Sequence, residues 1–201
     1  MPVREHLRRV TRPLHDALEV RLDAVGRLAD PARRRELLAR LYGFHEPAET
    51  ALFPILRGIP LLRFEARRKV PFLARDLAAL GMARADIAQL ARSPIGSFRT
   101  AAEGLGFLYV LEGATLGGHV IRKEAEERGL DPIGLSFFDC YGAYRRDMWR
   151  QFCAILEENC GAADQMAEAA DGATRGFRLI GTWLVGSALE VEHGAAIRAD
   201  A

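Results

Sequence analysis

The 201-residue sequence lacks the features of several common functional classes. Its formal net charge is only +1, whereas a nucleic-acid-binding domain needs a strongly basic face. No P-loop, G-x-S-x-G, H-E-x-x-H or Rossmann fingerprint is present. Its three cysteines, Cys140, Cys153 and Cys160, lack C-x-x-C spacing, so we expect reduced structural thiols rather than a metal site. We therefore expect no nucleic-acid partner.

Long apolar runs are also missing from the sequence. No unbroken apolar segment reaches the ~18 residues of a membrane span, and the charged N-terminus does not match a secretory signal. We expect no membrane association and a cytoplasmic location.

Lysine is scarce as well, since only Lys69 and Lys123 of the 28 basic residues are lysines. Solvated helix faces are the default explanation for the many arginines, although the planar guanidinium group also suits the binding of carboxylates.

Helical patterns run along the whole chain, and no segment is typical of a strand. Thr11 is a predicted N-cap for a helix with a proline in its first turn, after a short helix or arm over 3–10. Asp30-Pro31 predicts the start of a helix that Pro47 should kink or interrupt before 51–56. Further helical segments are predicted over 61–80 in two parts, 83–91, 104–123, 137–159 and 164–195. The pattern predicts an all-α fold of seven or eight helices, with residues 1–201 forming a single domain.

The segment 104–123 combines an apolar helical face with five glycines. An interior helical glycine costs ~1 kcal/mol relative to alanine, so Gly113, Gly117 and Gly118 need a compensating role. Without Cβ atoms, another body can lie directly against the helix backbone. His119 follows these glycines, but each helical step turns about 100°, so we expect it against another helix or at the surface. The body on the glycine face is either a neighbouring helix, as the Gly113-x-x-x-Gly117 spacing allows, or a flat ligand.

Histidines and acids recur at helical spacing. His15 and Glu19 share a helix face, where a carboxylate can accept the Nδ1 proton of the imidazole and leave Nε2 for a metal. On spacing alone, a surface pair is the better explanation. The same i, i+4 spacing recurs once, and an E-x-x-H unit of the kind found in di-iron carboxylate proteins lies near the C-terminus. These are His45 with Glu49, and Glu190 with His193.

Three segments resemble the bacterial heme oxygenase family, and most closely its branch associated with bacterial phytochromes. They are Thr11-Arg-Pro-Leu-His15-Asp-Ala-Leu-Glu19, Leu108-Tyr-Val-Leu-Glu-Gly-Ala-Thr-Leu-Gly-Gly118, and Phe137-Phe-x-x-Tyr141-Gly142 followed by Met148-Trp149-x-x-Phe152. Their order and spacing fit along most of the chain, and the middle segment is the most specific. The resemblance implies an all-α, single-domain, multi-helical bundle with heme held between the first helix and the glycine-rich helix.

The resemblance also implies roles for individual residues. His15 matches the proximal ligand of the heme iron and Glu19 its hydrogen-bond partner, while Gly113, Gly117 and Gly118 match the distal helix over the heme. The implied reaction opens heme to biliverdin and releases carbon monoxide and iron, consuming O2 and electrons from an external donor such as a ferredoxin or reductase. Further heme-binding residues, including cations for the propionates, are expected among Arg8, Tyr109, Arg145, Arg146 and Arg150.

Two positions depart from the family pattern. Many members have an aspartate one residue after the first distal glycine, where this chain has Ala114. The family also commonly has a glycine between the Tyr-Gly pair and the tryptophan, where this chain has Tyr-Arg-Arg-Asp over 144–147. Ala114 therefore leaves open a heme-binding or sequestering protein without turnover. A third alternative, a di-iron oxidase of related fold, would require several side chains to converge: His45, Glu49, Glu112, Glu190 and His193.

Overall fold

The computed structural model describes residues 1–186, and these contain α-helices, short 3-10 helices and no strand. The predicted all-α fold is confirmed, and the eight α-helices of the described residues fall within the predicted number. The α-helices are α1 (Val3–Leu22), α2 (Ala24–Ala29), α3 (Pro31–Leu56), α4 (Val70–Ala79), α5 (Arg84–Ala88), α6 (Ala101–Glu127), α7 (Arg145–Asn159) and α8 (Ala163–Val185). The 3-10 helices are Phe64–Arg67, Phe137–Asp139 and Gly142–Tyr144.

Helix α8 organises the packing, because its most extensive contacts are with α6 and α1. Two glycines allow α6 and α8 to meet at backbone distance. A Cβ atom on Gly106 would collide with the backbone of Ala169, and one on Gly172 would collide with the backbone of Glu103. The N-terminal half of the glycine-rich helix is therefore occupied by helix packing.

Helix α1 begins earlier than predicted. Thr11 lies inside the helix, where its hydroxyl donates to the Leu7 carbonyl over 2.8 Å, so the predicted N-cap at Thr11 is wrong. The first helical N–H groups, those of Val3 and Arg4, instead donate to the carboxylate of Glu157 on α7 over 2.7 and 3.0 Å. This acceptor is 154 residues away from Val3, so no local sequence pattern predicts where the helix begins.

Helix α3 begins where the sequence predicted but is longer. The Asp30 side chain accepts a hydrogen bond from the Arg33 N–H over 2.8 Å, and Pro31 occupies the first helical position. The helix continues through Pro47, so the predicted interruption is wrong, whereas the alternative of a kink stays a prediction. It ends at Leu56, before the predicted break at Gly58 and Pro60. An interior proline removes one hydrogen bond, and here the buried face of α3 around it offsets that loss.

The C-terminal half also differs in part from the prediction. The segment 137–159 is not one helix, since two 3-10 turns precede α7. The second of these turns begins at Gly142, which adopts a φ of +51°, a conformation that glycine tolerates best. Helix α8 ends at Val185, and the rest of the helix predicted over 164–195 lies outside the described residues.

Two features bear on the predicted environment of the protein. Among the described residues, α6 is the one helix long and apolar enough to cross a membrane, and 56 % of that stretch is buried inside the fold, as in a core helix.

The three cysteines are unpaired. Burial raises the pKa of the Cys140 thiol to about 11 and that of the Cys160 thiol to about 12, which keeps both protonated and weakly nucleophilic.

Candidate functional site

The glycines of α6 divide between the two roles that the sequence left open. A Cβ atom on Gly118 would lie 2.8 Å from the Phe138 carbonyl oxygen, so this glycine is accounted for by close packing. A Cβ atom on Gly117 would meet no atom within 4 Å, and one on Gly113 would make ordinary contact with Trp149 at 3.9 Å. The surface of α6 at Gly117 is therefore open to a ligand that needs direct access to the backbone.

His15 lies on the exposed side of α1, with 49 % of its side chain accessible. Its Nδ1 atom lies 3.4 Å from an oxygen of Asp16 and 3.6 Å from an oxygen of Glu19. Either carboxylate can accept the Nδ1 proton, which leaves Nε2 available to a ligand. The ring of Phe177 on α8 approaches edge-on, with ring centroids 5.8 Å apart. The predicted pairing of His15 with Glu19 is thus geometrically available, and Asp16 shares that position.

Two of the predicted heme-binding residues, Arg8 and Tyr109, lie on α1 and α6. Arg8 precedes His15 by seven residues, which places both on one face of α1. Burial holds the pKa of the Tyr109 phenol above its ordinary value, and the charge of Arg8 opposes this effect, so Arg8 lies within electrostatic range of Tyr109. The Tyr109 ring lies 5.7 Å from the ring of Trp149, which in turn contacts Gly113. The aromatic pair of Tyr109 and Trp149 thus lies beside Gly113 of α6.

The predicted arginines of the α7 region have different surroundings. Arg145 donates to Asp139 over 3.1 Å, and the same carboxylate lies 3.6 Å from Nδ1 of His119. His119 thus lies against another segment rather than on the glycine face, as expected. Arg150 pairs with Asp147 over 2.5 Å and is largely exposed, and Arg146 is also exposed. Arg146 and Arg150 remain accessible to an anionic ligand, whereas Arg145 already has a carboxylate partner.

A buried ionic network stands directly beside the glycine face. Glu112 immediately precedes Gly113, and its two carboxylate oxygens accept from Lys69 Nζ and Arg67 Nη1, each over 2.5 Å. The hydroxyl of Tyr141 donates to the same carboxylate over 2.8 Å, and Lys69 Nζ also donates to that hydroxyl over 2.6 Å. Sequence reasoning did not identify this network, although Glu112 is the single acid of the segment 104–123 and Lys69 is one of only two lysines.

Among the residues proposed for a di-iron site, the three that the structure describes, His45, Glu49 and Glu112, form no metal-ligand cluster. Both oxygens of Glu112 are bonded to cations. Glu49 accepts from the backbone N–H groups of Lys69 and Val70 and from the Arg68 guanidinium. Burial alone would raise the pKa of Glu49, but His45 and these donors hold it below the ordinary value. Glu190 and His193 lie outside the described residues, so nothing in the described part of the chain supports the di-iron alternative.

The comparisons with known proteins agree on one family. The family model described as Heme oxygenase matches residues 1–185. The chain belongs to the heme oxygenase family. This heme oxygenase family member is 35 % identical over 158 residues to a protein named heme oxygenase from Xanthomonas campestris pv. campestris (strain 8004), a match covering 78 % of this chain and 87 % of that protein.

The fold of this family member is also similar to that of a solved structure. This is the NO- and CO-bound heme oxygenase from Neisseria meningitidis, with a TM-score of 0.75 and 19 % identity over 99 % of this chain and 100 % of that one. At this identity the match establishes the heme oxygenase fold alone. The predicted family is confirmed, and its phytochrome-associated branch stays a prediction.

Proposed function

We propose that the chain is an enzyme that opens heme to biliverdin and releases carbon monoxide and iron, with heme bound between α1 and α6. Membership of the heme oxygenase family supports heme degradation in general. The observation that carries the finer proposal is the open space beside Gly117, next to a glycine whose side-chain position is filled by Phe138. A helix with one open and one packed glycine suits a flat ligand on a defined part of its surface.

The residues present fit heme at this place. An imidazole whose Nδ1 proton is held by a carboxylate is a suitable ligand for heme iron, and His15 has two such carboxylates within reach. When bound, heme supplies both the iron at which O2 reacts and the macrocycle that is opened. His15 would hold the iron through Nε2, and Glu19 or Asp16 would orient the ring by accepting the Nδ1 proton.

The glycines and Ala114 define the opposite side of the site. At Gly113 and Gly117 no side chain separates the α6 backbone from the ligand, so backbone groups and ordered water are the polar contacts there. Ala114 is exposed and contributes a methyl group rather than a carboxylate, so no acid of α6 at that position supplies protons. Gly118 acts indirectly, because its packing under Phe138 fixes the position of its neighbour Gly117.

The propionates require cations or hydroxyl donors. Arg8 on α1 lies within electrostatic range of Tyr109 on α6, so we propose that one propionate binds between these two side chains. Arg146 and Arg150 are the accessible cations of α7 for the other propionate, and Arg145 serves only if it leaves Asp139.

We further propose an external electron donor, such as a ferredoxin or reductase, a cytoplasmic location, and a functional link to a bacterial phytochrome.

Titration of hemin into the purified protein tests heme binding. We expect a Soret band that saturates at equimolar hemin and that changes in position and intensity in His15→Ala. No Soret band, or a band unaffected by His15→Ala, would contradict the proposal. As a control, His6→Ala alters another histidine of α1, which is half-buried, and should leave the spectrum unchanged.

Addition of a reductant and O2 to the hemin complex separates turnover from simple binding. We expect the Soret band to disappear while the red absorption of biliverdin appears and carbon monoxide is released. A stable Soret band would favour the heme-binding alternative that Ala114 suggests. Loss of the band without biliverdin would indicate bleaching instead of the proposed reaction.

A further inference from the structure

A second concave site lies between the segment 63–66 and the segment 140–151. It is a cleft of about 560 Å³, within the range of roughly 300–1,000 Å³ typical of small-molecule sites. Neither His15, Tyr109 nor any glycine of α6 lines it. The cleft is therefore distinct from the proposed heme site, and its lining has no role in the function proposed above.

The walls of the cleft suit a flat, largely apolar molecule. They include the rings of Tyr141 and Tyr144 and the side chain of Met148. Tyr144 is 71 % exposed, so its ring is accessible to a ligand. Aromatic rings and a thioether pack well on planar aromatic ligands. The apolar part of the expected ligand is thus an aromatic ring system.

The charges around the cleft favour an anion. Within the described residues, the guanidinium of Arg63 on its rim has no hydrogen bond or ion pair, and the chain there adopts a φ of +49°, rare for a non-glycine residue. The acid on the rim, Asp147, is already paired with Arg150 over 2.5 Å. The positive charge of Arg63 at the mouth of the cleft is therefore not neutralised by any acid of the described residues.

The buried network behind the wall adds to this positive charge. Arg67 and Lys69 share the single carboxylate of Glu112, so these three groups carry one excess positive charge. Burial raises the pKa of the thiol of Cys140, a wall residue, and the charges of Lys69 and Glu112 act on it in opposite directions, so the network lies within electrostatic range of the wall. A negative charge in the cleft would be attracted by both Arg63 and this excess charge.

The same network holds the wall in place. Arg67 donates to the Met148 carbonyl and to Gln151 Oε1, each over 3.2 Å, and Tyr141 donates to Glu112 over 2.8 Å. Gln151 uses its oxygen in this contact, which leaves its amide N–H groups as donors. Rigid walls with a few fixed polar groups are what a specific ligand site requires.

We propose that this cleft binds an aromatic carboxylate of about two or three fused rings. Its ring system lies among Tyr141, Tyr144 and Met148, and its carboxylate pairs with Arg63, assisted by the amide of Gln151 and the positive charge of the buried network. The site is independent of the heme proposal, because the two share no residue.

Fluorescence titration with anthracene-2-carboxylate, a three-ring probe of this class, tests the proposal on the full chain. We expect one saturable site whose affinity is unchanged when equimolar hemin is present. Arg63→Gln should weaken binding about tenfold, since a charge-assisted hydrogen bond is lost. Arg33→Gln alters an exposed arginine outside the cleft and should leave the affinity unchanged.

A neutral probe separates the two parts of the site. Anthracene-2-methanol should bind the native chain and Arg63→Gln equally, whereas Tyr144→Ala should weaken the binding of both probes. The proposal is overturned by an absence of saturable binding, by equal affinity of the carboxylate for Arg63→Gln and the native chain, or by displacement with hemin. Displacement would place the probe in the heme site, and none of these results changes the outcome of the hemin titration itself.

Discussion

Lys69 Nζ lies 2.5 Å from Glu112 Oε1, and the two side chains are only 2 % and 1 % exposed. Charges at such depth are tolerated only when they are paired and fully hydrogen-bonded. The pair joins the segment before α4 to α6 one residue before Gly113, so it fixes the glycine-rich helix beside the proposed ligand face. Its second cation, Arg67, is equally buried and bonds to the other carboxylate oxygen.

Replacement of this carboxylate should be strongly destabilising. Glu112→Gln leaves Arg67 and Lys69 buried without an anion, and we expect the free energy of unfolding to fall by about 3–5 kcal/mol. Urea unfolding followed by circular dichroism measures this loss. Glu127→Gln, which alters an exposed ion pair with Lys123 on the same helix, should change stability by less than about 0.5 kcal/mol. Equal losses in the two variants would show that the network contributes no more than a surface pair.

Adjacent glycines of α6 should respond to alanine with opposite signs. The methyl group of Gly117→Ala enters open space, so the better helix propensity of alanine should stabilise the heme-free protein by up to ~1 kcal/mol. The methyl group of Gly118→Ala meets the Phe138 backbone and should cost about 1–3 kcal/mol. Urea unfolding without heme gives both values, and a change of the same sign in both variants would contradict the different surroundings of the two positions.

A larger side chain at Gly117 should block the ligand rather than the fold. In Gly117→Leu we expect hemin affinity to fall at least about tenfold, while the free energy of unfolding changes by less than about 1 kcal/mol. Hemin titration and urea unfolding of the same preparation measure the two effects. Lys123→Leu, at an exposed position of α6, controls for leucine on the helix surface. Parallel losses of binding and stability in Gly117→Leu would support helix packing at this glycine.

The start of α1 should depend on Glu157. Its carboxylate accepts the N–H groups of Val3 and Arg4, so Glu157→Ala should cost about 1–2 kcal/mol, as for other lost N-caps. Hydrogen exchange should show faster exchange confined to the first turn of α1. Glu158→Ala, the exposed neighbour, should leave that exchange unchanged. Unaltered exchange in Glu157→Ala would mean that water satisfies these N–H groups equally well.

The stability contributed by Glu49 should depend on pH. Its donors hold its pKa in the folded protein below the ordinary value of 4.5, so the contribution is present above pH 4.5 and is lost as the pH falls through the folded value. Near neutral pH, the free energy of unfolding of the native chain should be about 1.5–3 kcal/mol larger than that of Glu49→Gln. This difference should become progressively smaller in more acid solution. Urea unfolding over this pH range measures the difference. Glu36→Gln, on the exposed face of α3, is the control, and a pH-independent advantage over Glu49→Gln would refute the expectation.

Local signals explain which parts of the fold the sequence could predict. Asp30 and Pro31 start α3 with groups that lie within three residues of the N–H they satisfy, so the start of that helix was predictable. The beginning of α1 was not, because its acceptor Glu157 comes from the far end of the chain. The interruption expected at Pro47 did not occur for a related reason. The hydrogen bond that a proline removes can be read from the local sequence, whereas the buried packing of α3 that offsets this loss is tertiary.

The same distinction applies to the candidate site. His15 with Glu19, and the glycines at 113 and 117, follow from helical spacing within one segment. The buried network does not, because Arg67 and Tyr141 lie 45 and 29 residues from Glu112. In an arginine-rich chain, nothing in the sequence marks Arg67 as the buried arginine. Its partner became recognisable only once the fold brought the segment 64–70 against α6.

The burial of Lys69 has a practical consequence for labelling this protein. Since the chain has only two lysines, reagents that acylate amines can reach one lysine side chain, Lys123, which is 68 % exposed, together with the N-terminal amine. Lys123 lies six residues after Gly117 on the same helix, about 9 Å along its axis. A dye or a surface linker attached there would sit at a known short distance from the proposed heme, without the introduction of a new residue.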